Sequence, residues 1–362
     1  MKITAVRTGI LRTPLKTPFK TAQRTAGEMV DIVVLLEASD GTVGWGSAPP
    51  TAKVTGDTEG GVECAVREYL GPLLEGRDPE DLEACLDILE SGMVRNTSAK
   101  AALDIALHDL WARIIGQPAW RLFGGAGGPI RTDVTVSVNP PEEMARDALR
   151  AVDDGFDTIK IKVGVGAEID FERIKAIRDA VGRAPKLRID ANQGWKPGEA
   201  VRTLNRMADA GFGIELAEQP VKSGNIDGLA FVTAHSPIPV AADESCWSPL
   251  DAMELIRRKA ADMINIKLMK CGGVRGARQI ISVAQASGIE VMMGSMLECK
   301  ISAAAAAHLS SSFGCVTRID LDGPALCSAD LVEGGPEFKG PDIILGSGPG
   351  FGVTGVPGLK LS

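Results

Sequence analysis

Charged residues stand at the ends of five successive apolar segments between residues 158 and 267. The first segment, Thr158–Val163, carries Lys160 and Lys162, and the fifth ends at Lys267. Each of the three segments between them ends in a carboxylate, namely Asp190, Glu218 and Asp243. Because the interior of a strand is normally apolar, charges at the same position of consecutive segments indicate one shared reactive site.

The carboxylates predict a metal site. Three carboxylates that converge repel one another unless a cation lies among them, and an all-oxygen set favours a hard divalent ion. We therefore predict that Asp190, Glu218 and Asp243 bind one Mg²⁺ per subunit, with Mn²⁺ as the expected substitute. The three histidines lie in helical or loop segments, and the seven cysteines include no C-x-x-C pair, so neither type is expected to bind the metal.

The lysines predict acid–base chemistry. The segments of Lys162 and Lys267 stand four apart, so in a ring of eight strands they face each other. The metal is expected to bind a substrate carboxylate and to stabilise the enolate formed beside it. One lysine removes the α-proton and the other returns a proton to the opposite face, which inverts the carbon as in a racemase or epimerase. A lysine that acts as a base must be neutral, and we expect the positive charges of Lys160 and the metal to favour that form of Lys162.

These residues need a scaffold that holds the ends of parallel strands together. After a glycine-rich stretch at 124–128, short apolar segments recur about every 25–29 residues with amphipathic helical stretches between them. Eight such units predict an α/β fold with a modified (β/α)7β TIM-type barrel, whose active site lies at the carboxyl ends of the strands. We predict an α+β capping domain at 1–125, the barrel at 126–322, and a tail at 323–362 that packs back on the capping domain.

Composition limits the classes of partner. The 362-residue chain has a formal net charge of −8, whereas a nucleic-acid surface usually needs a basic face. No apolar run approaches the ~18 residues of a membrane span. The odd number of cysteines suggests reduced thiols. We therefore expect a cytoplasmic protein that acts on a small molecule, with no nucleic-acid or membrane partner; a homo-oligomer is compatible with the sequence.

The motifs resemble those of the enolase superfamily, in its muconate-lactonizing-like subgroup. The resemblance extends over essentially the whole chain and implies a capping domain, a modified barrel, Mg²⁺ at the three carboxylates, and two lysine acid/bases. The matching motifs are Lys160-Ile-Lys162, Asp190-Ala-Asn-Gln193, Glu218-Gln-Pro220, Asp243-Glu-Ser245 and Asn265-Ile-Lys267.

Two further features point to the substrate. Asp320 and Asp322 follow the eighth segment on one face, as suits an ammonium group, and a similar Asp-x-Asp binds the substrate amine in dipeptide epimerases. The segment Pro18–Thr25 looks like the specificity loop of L-Ala-D/L-Glu epimerases, whose arginine pairs with the glutamate side chain; Arg24 takes that place. The same resemblance implies that other substrate contacts come from Thr135, Lys160, Ser295 and Leu297.

Together these features predict epimerisation of L-Ala-D-Glu to L-Ala-L-Glu, a step of cell-wall peptide metabolism. Three alternatives stay open: a dipeptide epimerase with another side-chain preference, a cycloisomerase or N-acylamino-acid racemase of the same subgroup, and a binding protein that has lost catalysis. One departure from the subgroup is Ser47, where relatives often have Glu, and we expect it to affect the packing of the capping domain.

Overall fold

The protein begins with an antiparallel sheet. The computed structural model describes residues 1–362. The sheet has the order β1-β2-β3. The central strand is rich in β-branched residues, and Ile32, Val33 and Val34 are fully buried in it. The bounds of the strands are β1 Ile3–Lys20, β2 Thr25–Ala38 and β3 Val43–Ala48.

The predicted specificity loop is shorter than the sequence suggested. Pro18–Thr25 was expected to be a loop, but β1 continues through Lys20 and β2 begins at Thr25. Phe19 pairs with Ala26 in the ladder, so only the residues from Thr21 to Arg24 form the connection. The prediction of a longer loop was wrong because Pro18 lies between Pro14 and Phe19, where the pairing of β1 with β2 is interrupted and no ladder hydrogen bond requires its missing N–H.

Helices cover one face of this sheet. The first helical stretch, residues 59–74, contains a π-helical segment, Ala65–Leu70. The longest helix, which contains Ala102, packs closely against β3. A Cβ at Gly46 of β3 would lie only 1.9 Å from the Ala102 carbonyl oxygen, so this contact requires glycine. The helices are α1 Glu59–Cys64, α2 Gly71–Leu74, α3 Leu82–Gly92, α4 Thr97–Ile115 and α5 Ala119–Leu122.

The rest of the chain forms the barrel. After the short β4, Ile130–Arg131, eight parallel strands pair in chain order. These are β5 Val134–Val136, β6 Thr158–Lys162, β7 Lys186–Asp190, β8 Ile214–Glu218, β9 Val240–Ala242, β10 Met263–Lys267, β11 Glu290–Gly294 and β12 Val316–Asp320. The predicted (β/α)7β barrel with an α+β cap is therefore confirmed.

Helices connect the barrel strands, and one backbone contact helps to close the ring. Asp133 N–H donates to the Ile319 carbonyl at 3.2 Å, between the first and last strands. None of the helices in the structure is both long enough and apolar enough to cross a membrane. The connecting helices are α6 Pro141–Asp153, α7 Ala167–Val181, α8 Pro197–Asp209, α9 Ile226–His235, α10 Pro249–Arg257, α11 Leu268–Cys271, α12 Val274–Ala286 and α13 Lys300–Ser310.

The tail after β12 carries no long helix. Its elements are α14 Gly323–Leu326, β13 Glu333–Gly334, β14 Glu337–Lys339, β15 Asp342–Ile344 and β16 Val353–Gly355. Its last residue, Ser362, exchanges two backbone hydrogen bonds with Thr8 of β1. Leu15 of β1 forms a bridge with Cys327. The predicted domain boundaries at 125 and 322 stay a prediction.

Candidate active site

The register of the barrel brings the charged strand ends to one level. Lys162 of β6 is paired with Asp190 of β7, and Asp190 is paired in turn with Glu218 of β8. Across the barrel, Lys267 of β10 is level with Gly294 of β11, which is level with Asp320 of β12. The residues that the sequence marked therefore line one end of the barrel.

Strained backbone follows two of these strands. Asn192 has a φ of 42° two residues after Asp190, and Gln219 has a φ of 35° directly after Glu218. Such conformations cost about 1–3 kcal/mol each and cluster at functional sites. Gln219 also fixes the neighbouring loop, because its Oε1 accepts hydrogen bonds from the backbone N–H of Asp243 at 2.9 Å and of Ser245 at 3.1 Å.

Lys160 lies at the centre of the carboxylates. Its Nζ is 2.6 Å from Glu218 Oε2, 2.7 Å from Asp320 Oδ2 and 3.3 Å from Asp190 Oδ2. The side chain is only 2% exposed, so this charge is held in a dry environment. Burial alone would lower the pKa of Lys160, but the three carboxylates outweigh it and raise the pKa well above its ordinary value.

The two predicted acid/bases contact different carboxylates. Lys162 Nζ lies 2.6 Å from Asp190 Oδ2, and Lys267 Nζ lies 2.8 Å from Asp243 Oδ2 and 3.9 Å from Glu218 Oε1. Burial would lower the pKa of Lys267, but Asp243 and Glu218 raise it. Both lysines therefore lie beside the carboxylate cluster, on β6 and β10 at opposite sides of the ring.

The carboxylates themselves differ in charge state. Burial and the neighbouring Asp190 raise the pKa of Glu218 to about 7. Burial acts in the same direction on Asp243, but Lys267 and Lys270 overcome it and hold the pKa of Asp243 well below its ordinary value. A low-dielectric cluster of this kind has more acids than its lysines can neutralise, as a site for a divalent cation requires.

The predicted metal ligands fit a hard cation in their chemistry. Glu218 Oε2 and Asp243 Oδ1 are buried and make no hydrogen bond of good geometry, although each lies 2.6 Å from a lysine Nζ. In the structure the side chains do not surround one point as a ligand set, since the lysine ammonium groups lie between them. Asp190, Glu218 and Asp243 are the residues that would hold Mg²⁺.

One cavity gathers the predicted substrate residues. It has a volume of about 50 Å³, far below the ~300–1,000 Å³ of typical ligand pockets, so it would have to widen to admit a small molecule. The residues predicted to contact substrate or to transfer protons all line this cavity: Arg24, Thr135, Lys160, Lys162, Lys267, Ser295, Leu297, Asp320 and Asp322.

The two aspartates that line the cavity differ from each other in their partners. Asp320 accepts a hydrogen bond from Lys160. Burial raises the pKa of Asp320, but the nearby lysines outweigh burial and lower the pKa to about 2. Asp322 has a backbone partner instead, because Thr135 N–H donates to its Oδ2 at 2.6 Å. Burial and Asp320 raise the pKa of Asp322 to about 6. A cationic ligand placed here would favour ionisation of both groups.

Arg24 is the cation at the capping side of the cavity. Burial lowers the pKa of its guanidinium, and no carboxylate of the protein opposes that effect. Its backbone is fixed by Thr21, whose hydroxyl accepts from the Arg24 N–H at 3.2 Å. A partly desolvated guanidinium without an ion-pair partner is a site for an anionic group of a ligand.

The sequence did not reveal several residues that shape the site. Asn265 Nδ2 donates to Glu218 Oε1 at 2.8 Å, and Lys270 Nζ lies 2.6 Å from Asp243 Oδ1. Asn265 belongs to a quoted motif, and the spacing of Lys270 from Lys267 could have indicated that both lie on one side of a turn. Lys53, which also lines the cavity, comes from a capping loop that carries no local signal.

Comparison with known families covers both halves of the chain. Residues 3–124 match the family described as the mandelate racemase / muconate lactonizing enzyme N-terminal domain. Residues 143–356 match the family described as enolase C-terminal domain-like. The chain is 48% identical over 356 residues to the L-Ala-D/L-Glu epimerase of Clostridium acetobutylicum. The alignment covers 98% of this chain and 99% of the relative.

Solved structures of relatives have the same fold over nearly their full length. The substrate-liganded L-Ala-D/L-Glu epimerase from Bacillus subtilis superposes with a TM-score of 0.97 at 45% identity, covering 98% of this chain and 99% of that one. A dipeptide epimerase from Enterococcus faecalis, complexed with Mg and L-Leu-L-Tyr, gives a TM-score of 0.94 at 39% identity and covers 98% and 100%.

Proposed function

This chain belongs to the mandelate racemase and muconate lactonizing enzyme family of the enolase superfamily, and we propose that it is a Mg²⁺-dependent dipeptide epimerase. The relatives compared above are named epimerases, so the chain is an isomerase. The proposed reaction inverts the α-carbon of the C-terminal residue, with L-Ala-D-Glu and L-Ala-L-Glu as the two epimers. Such dipeptides are fragments of cell-wall peptide, and we propose that the enzyme acts in their metabolism.

One observation carries the proposal. A single cavity is lined by two lysines from opposite strands, by a pair of aspartates and by an arginine without a carboxylate partner. The lysines Lys162 and Lys267 suit proton transfer at a carbon between them. The aspartates suit an ammonium group, and Arg24 suits a side-chain carboxylate. A dipeptide with a free amine and an acidic C-terminal residue matches all three.

The proposed chemistry assigns each lysine one face of the substrate. In one direction Lys162 takes the α-proton, and the electron pair of the C–H bond passes into the carboxylate to give an enolate. Lys267 then delivers a proton to the opposite face, and the carbon is inverted. In the reverse direction the two lysines exchange roles. Each must be neutral when it acts as the base, so the carboxylates that now contact it must be engaged elsewhere.

A divalent ion would meet that requirement. Bound Mg²⁺ supplies stabilisation of the negative charge on the enolate oxygens. Asp190, Glu218 and Asp243 are the residues that we propose to hold it, and Mn²⁺ is proposed as a substitute. If these carboxylates turned towards an ion, Lys162 and Lys267 would lose their present anionic partners, and the raised pKa of Lys267 would fall.

Substrate choice is proposed to depend on the capping side of the cavity. The relative from Enterococcus faecalis was crystallised with L-Leu-L-Tyr, so the same framework accepts other side chains elsewhere in the family. Here the half-buried Arg24 favours an acidic side chain, whereas an apolar one would leave the guanidinium desolvated without a partner. We propose that Thr135, Ser295 and Leu297 contact the peptide itself.

The proposal is tested by hydrogen exchange with a dipeptide panel. The purified protein is incubated in D₂O with Mg²⁺ and a set of Ala-X and X-Glu dipeptides, and deuterium uptake is followed by mass spectrometry. We expect one deuterium at the C-terminal α-carbon, fastest for Ala-Glu, and loss of exchange in EDTA. If no dipeptide takes up deuterium, the enzyme is not a dipeptide epimerase.

A substrate without a free amine is the informative control. N-acetylated Ala-Glu keeps both carboxylates but cannot form ion pairs with Asp320 and Asp322. The proposal predicts that it reacts much more slowly than Ala-Glu. Faster turnover of the acetylated compound would indicate an N-acylamino-acid racemase instead.

A further inference from the structure

Glu244 is a buried carboxylate for which the protein provides no partner. The residue is 5% exposed, and neither Oε1 nor Oε2 makes a hydrogen bond. Only its backbone is engaged, since the Trp247 Nε1–H donates to the Glu244 carbonyl at 2.7 Å. A buried carboxylate without a partner destabilises the protein by several kcal/mol. We therefore expect a group that is not part of the chain to pair with Glu244.

The neighbouring acids differ from Glu244 in this respect. Asp190, Asp243 and Asp320 each have a lysine Nζ within 2.8 Å, and Glu218 has one at 2.6 Å. The available lysines of the site are therefore already paired with other carboxylates. Glu244 is the acid beside this cluster that receives neither an ammonium group nor a backbone N–H.

The position of Glu244 identifies the missing partner. It directly follows Asp243, two residues beyond the end of β9, and so lies next to a proposed metal ligand. A further anion among three anions is stable only if its partner is positive or donates hydrogen bonds. Mg²⁺ keeps several of its water molecules when proteins bind it, and such water donates strongly.

We propose that Glu244 is a positioning residue of the metal centre, which accepts hydrogen bonds from water in the hydration shell of the bound divalent ion. This inference rests on the proposed metal site but assigns a residue that is not one of its three direct ligands. Groups that orient a metal's ligands in this way typically change metal affinity about 10- to 100-fold when replaced.

Glu244→Gln tests the assignment, because the amide keeps the shape of the side chain and removes its charge. The matched control is Asp31→Asn. Like Glu244, Asp31 is buried and has a carboxylate oxygen, Oδ1, that makes no hydrogen bond. Unlike Glu244, it lies on β2, outside the metal cluster, and its other oxygen accepts from the Cys299 N–H. Mg²⁺ binding is measured by titration calorimetry, and thermal unfolding is followed by circular dichroism in EDTA and in Mg²⁺.

We expect Glu244→Gln to fold in EDTA but to bind Mg²⁺ about 10- to 100-fold more weakly than the unmodified protein, whereas Asp31→Asn binds it equally well. Glu244→Asp keeps the charge and should recover part of the affinity. The inference is overturned if Glu244→Gln binds Mg²⁺ with the original affinity, whatever its unfolding temperature in EDTA. It is also overturned if Glu244→Asp binds Mg²⁺ no better than Glu244→Gln. If the unmodified protein binds no Mg²⁺, the proposed metal site itself is wrong.

Discussion

At the scale of single residues, the site is a set of charges that depend on one another. Lys160 contacts three carboxylates, Lys162 contacts one carboxylate, and Lys267 contacts two carboxylates. Each side chain is nearly excluded from water, so replacing one member changes the charge balance of the rest. Predictions at this scale therefore concern chemistry more directly than stability.

Replacing either acid/base lysine should separate the two half-reactions. Lys162→Ala and Lys267→Ala should each lower the rate of epimerisation by about 10²–10⁴-fold or more, because each removes the proton carrier of one face. Each variant should still exchange the α-proton of the single epimer that presents it to the remaining lysine. Chiral chromatography measures inversion, and NMR in D₂O measures exchange. A variant that inverts the carbon at the original rate would exclude its lysine from the reaction.

Replacing Arg24 should change selectivity rather than chemistry. Arg24→Met keeps an unbranched side chain of similar reach but removes the guanidinium, so kcat/KM for Ala-Glu should fall about tenfold to a hundredfold, as for a lost charged hydrogen bond. The value for Ala-Leu should stay the same or rise. Steady-state kinetics with both dipeptides checks this. Equal losses for the two substrates would mean that Arg24 does not select the side chain.

At the scale of elements, the strand register decides which side chains meet. Asn265 of β10 donates a hydrogen bond to Glu218 of β8, and a Cβ at Gly294 of the neighbouring β11 would lie 2.5 Å from Asn265 Oδ1. The glycine is therefore needed for the hydrogen bond that orients a proposed metal ligand.

Gly294→Ala tests this packing. We expect the methyl group to displace Asn265 and to weaken Mg²⁺ binding about 10- to 100-fold, since Glu218 loses its orienting partner. Gly128→Ala is the control, because a Cβ there would contact nothing within 4 Å. Titration calorimetry measures both. Unchanged Mg²⁺ affinity in Gly294→Ala would show that Asn265 does not support the site.

The elements also show how far sequence reasoning reached. The predicted alternation of short apolar segments and amphipathic helical stretches agrees with β5 to β12 and the helices between them, because both patterns are local in the sequence. The hairpin of the specificity loop was predicted less well, since its length depends on pairing between β1 and β2. Asn265 and Glu244 were seen in motifs but had no evident role, because an orphaned or cross-strand side chain appears only in three dimensions.

At the scale of the whole molecule, the capping sheet and the barrel meet at buried polar groups. Asp31 of β2 accepts a hydrogen bond from the Cys299 N–H at 2.9 Å, and Ser47 lies 3.2 Å from the Cys299 Sγ. Ser47, which we expected to affect the packing of the capping domain, therefore lies at this contact. Burial raises the pKa of Asp31 to about 7.

The shift at Asp31 predicts a pH-dependent stability. The pKa of Asp31 is higher in the folded than in the unfolded protein. Between about pH 4 and 7 the folded state therefore holds a proton that the unfolded state has released. The free energy of unfolding falls as pH rises through this window. Asp31→Asn should remove this loss and be more stable than the unmodified protein by up to roughly 4 kcal/mol at pH 8, with the difference vanishing near pH 4. Urea unfolding in EDTA measures it. A variant less stable at every pH would contradict the prediction.

The central claim is that two lysines act on opposite faces of one carbon, and early time points in D₂O test it most directly. L-Ala-D-Glu is converted with Mg²⁺, and NMR follows the α-hydrogen of substrate and product separately. The account predicts that the first L-Ala-L-Glu formed carries deuterium at the α-carbon, while the remaining substrate still carries hydrogen. Product that retains the original hydrogen would mean that a single base carries the proton across, and would contradict the account.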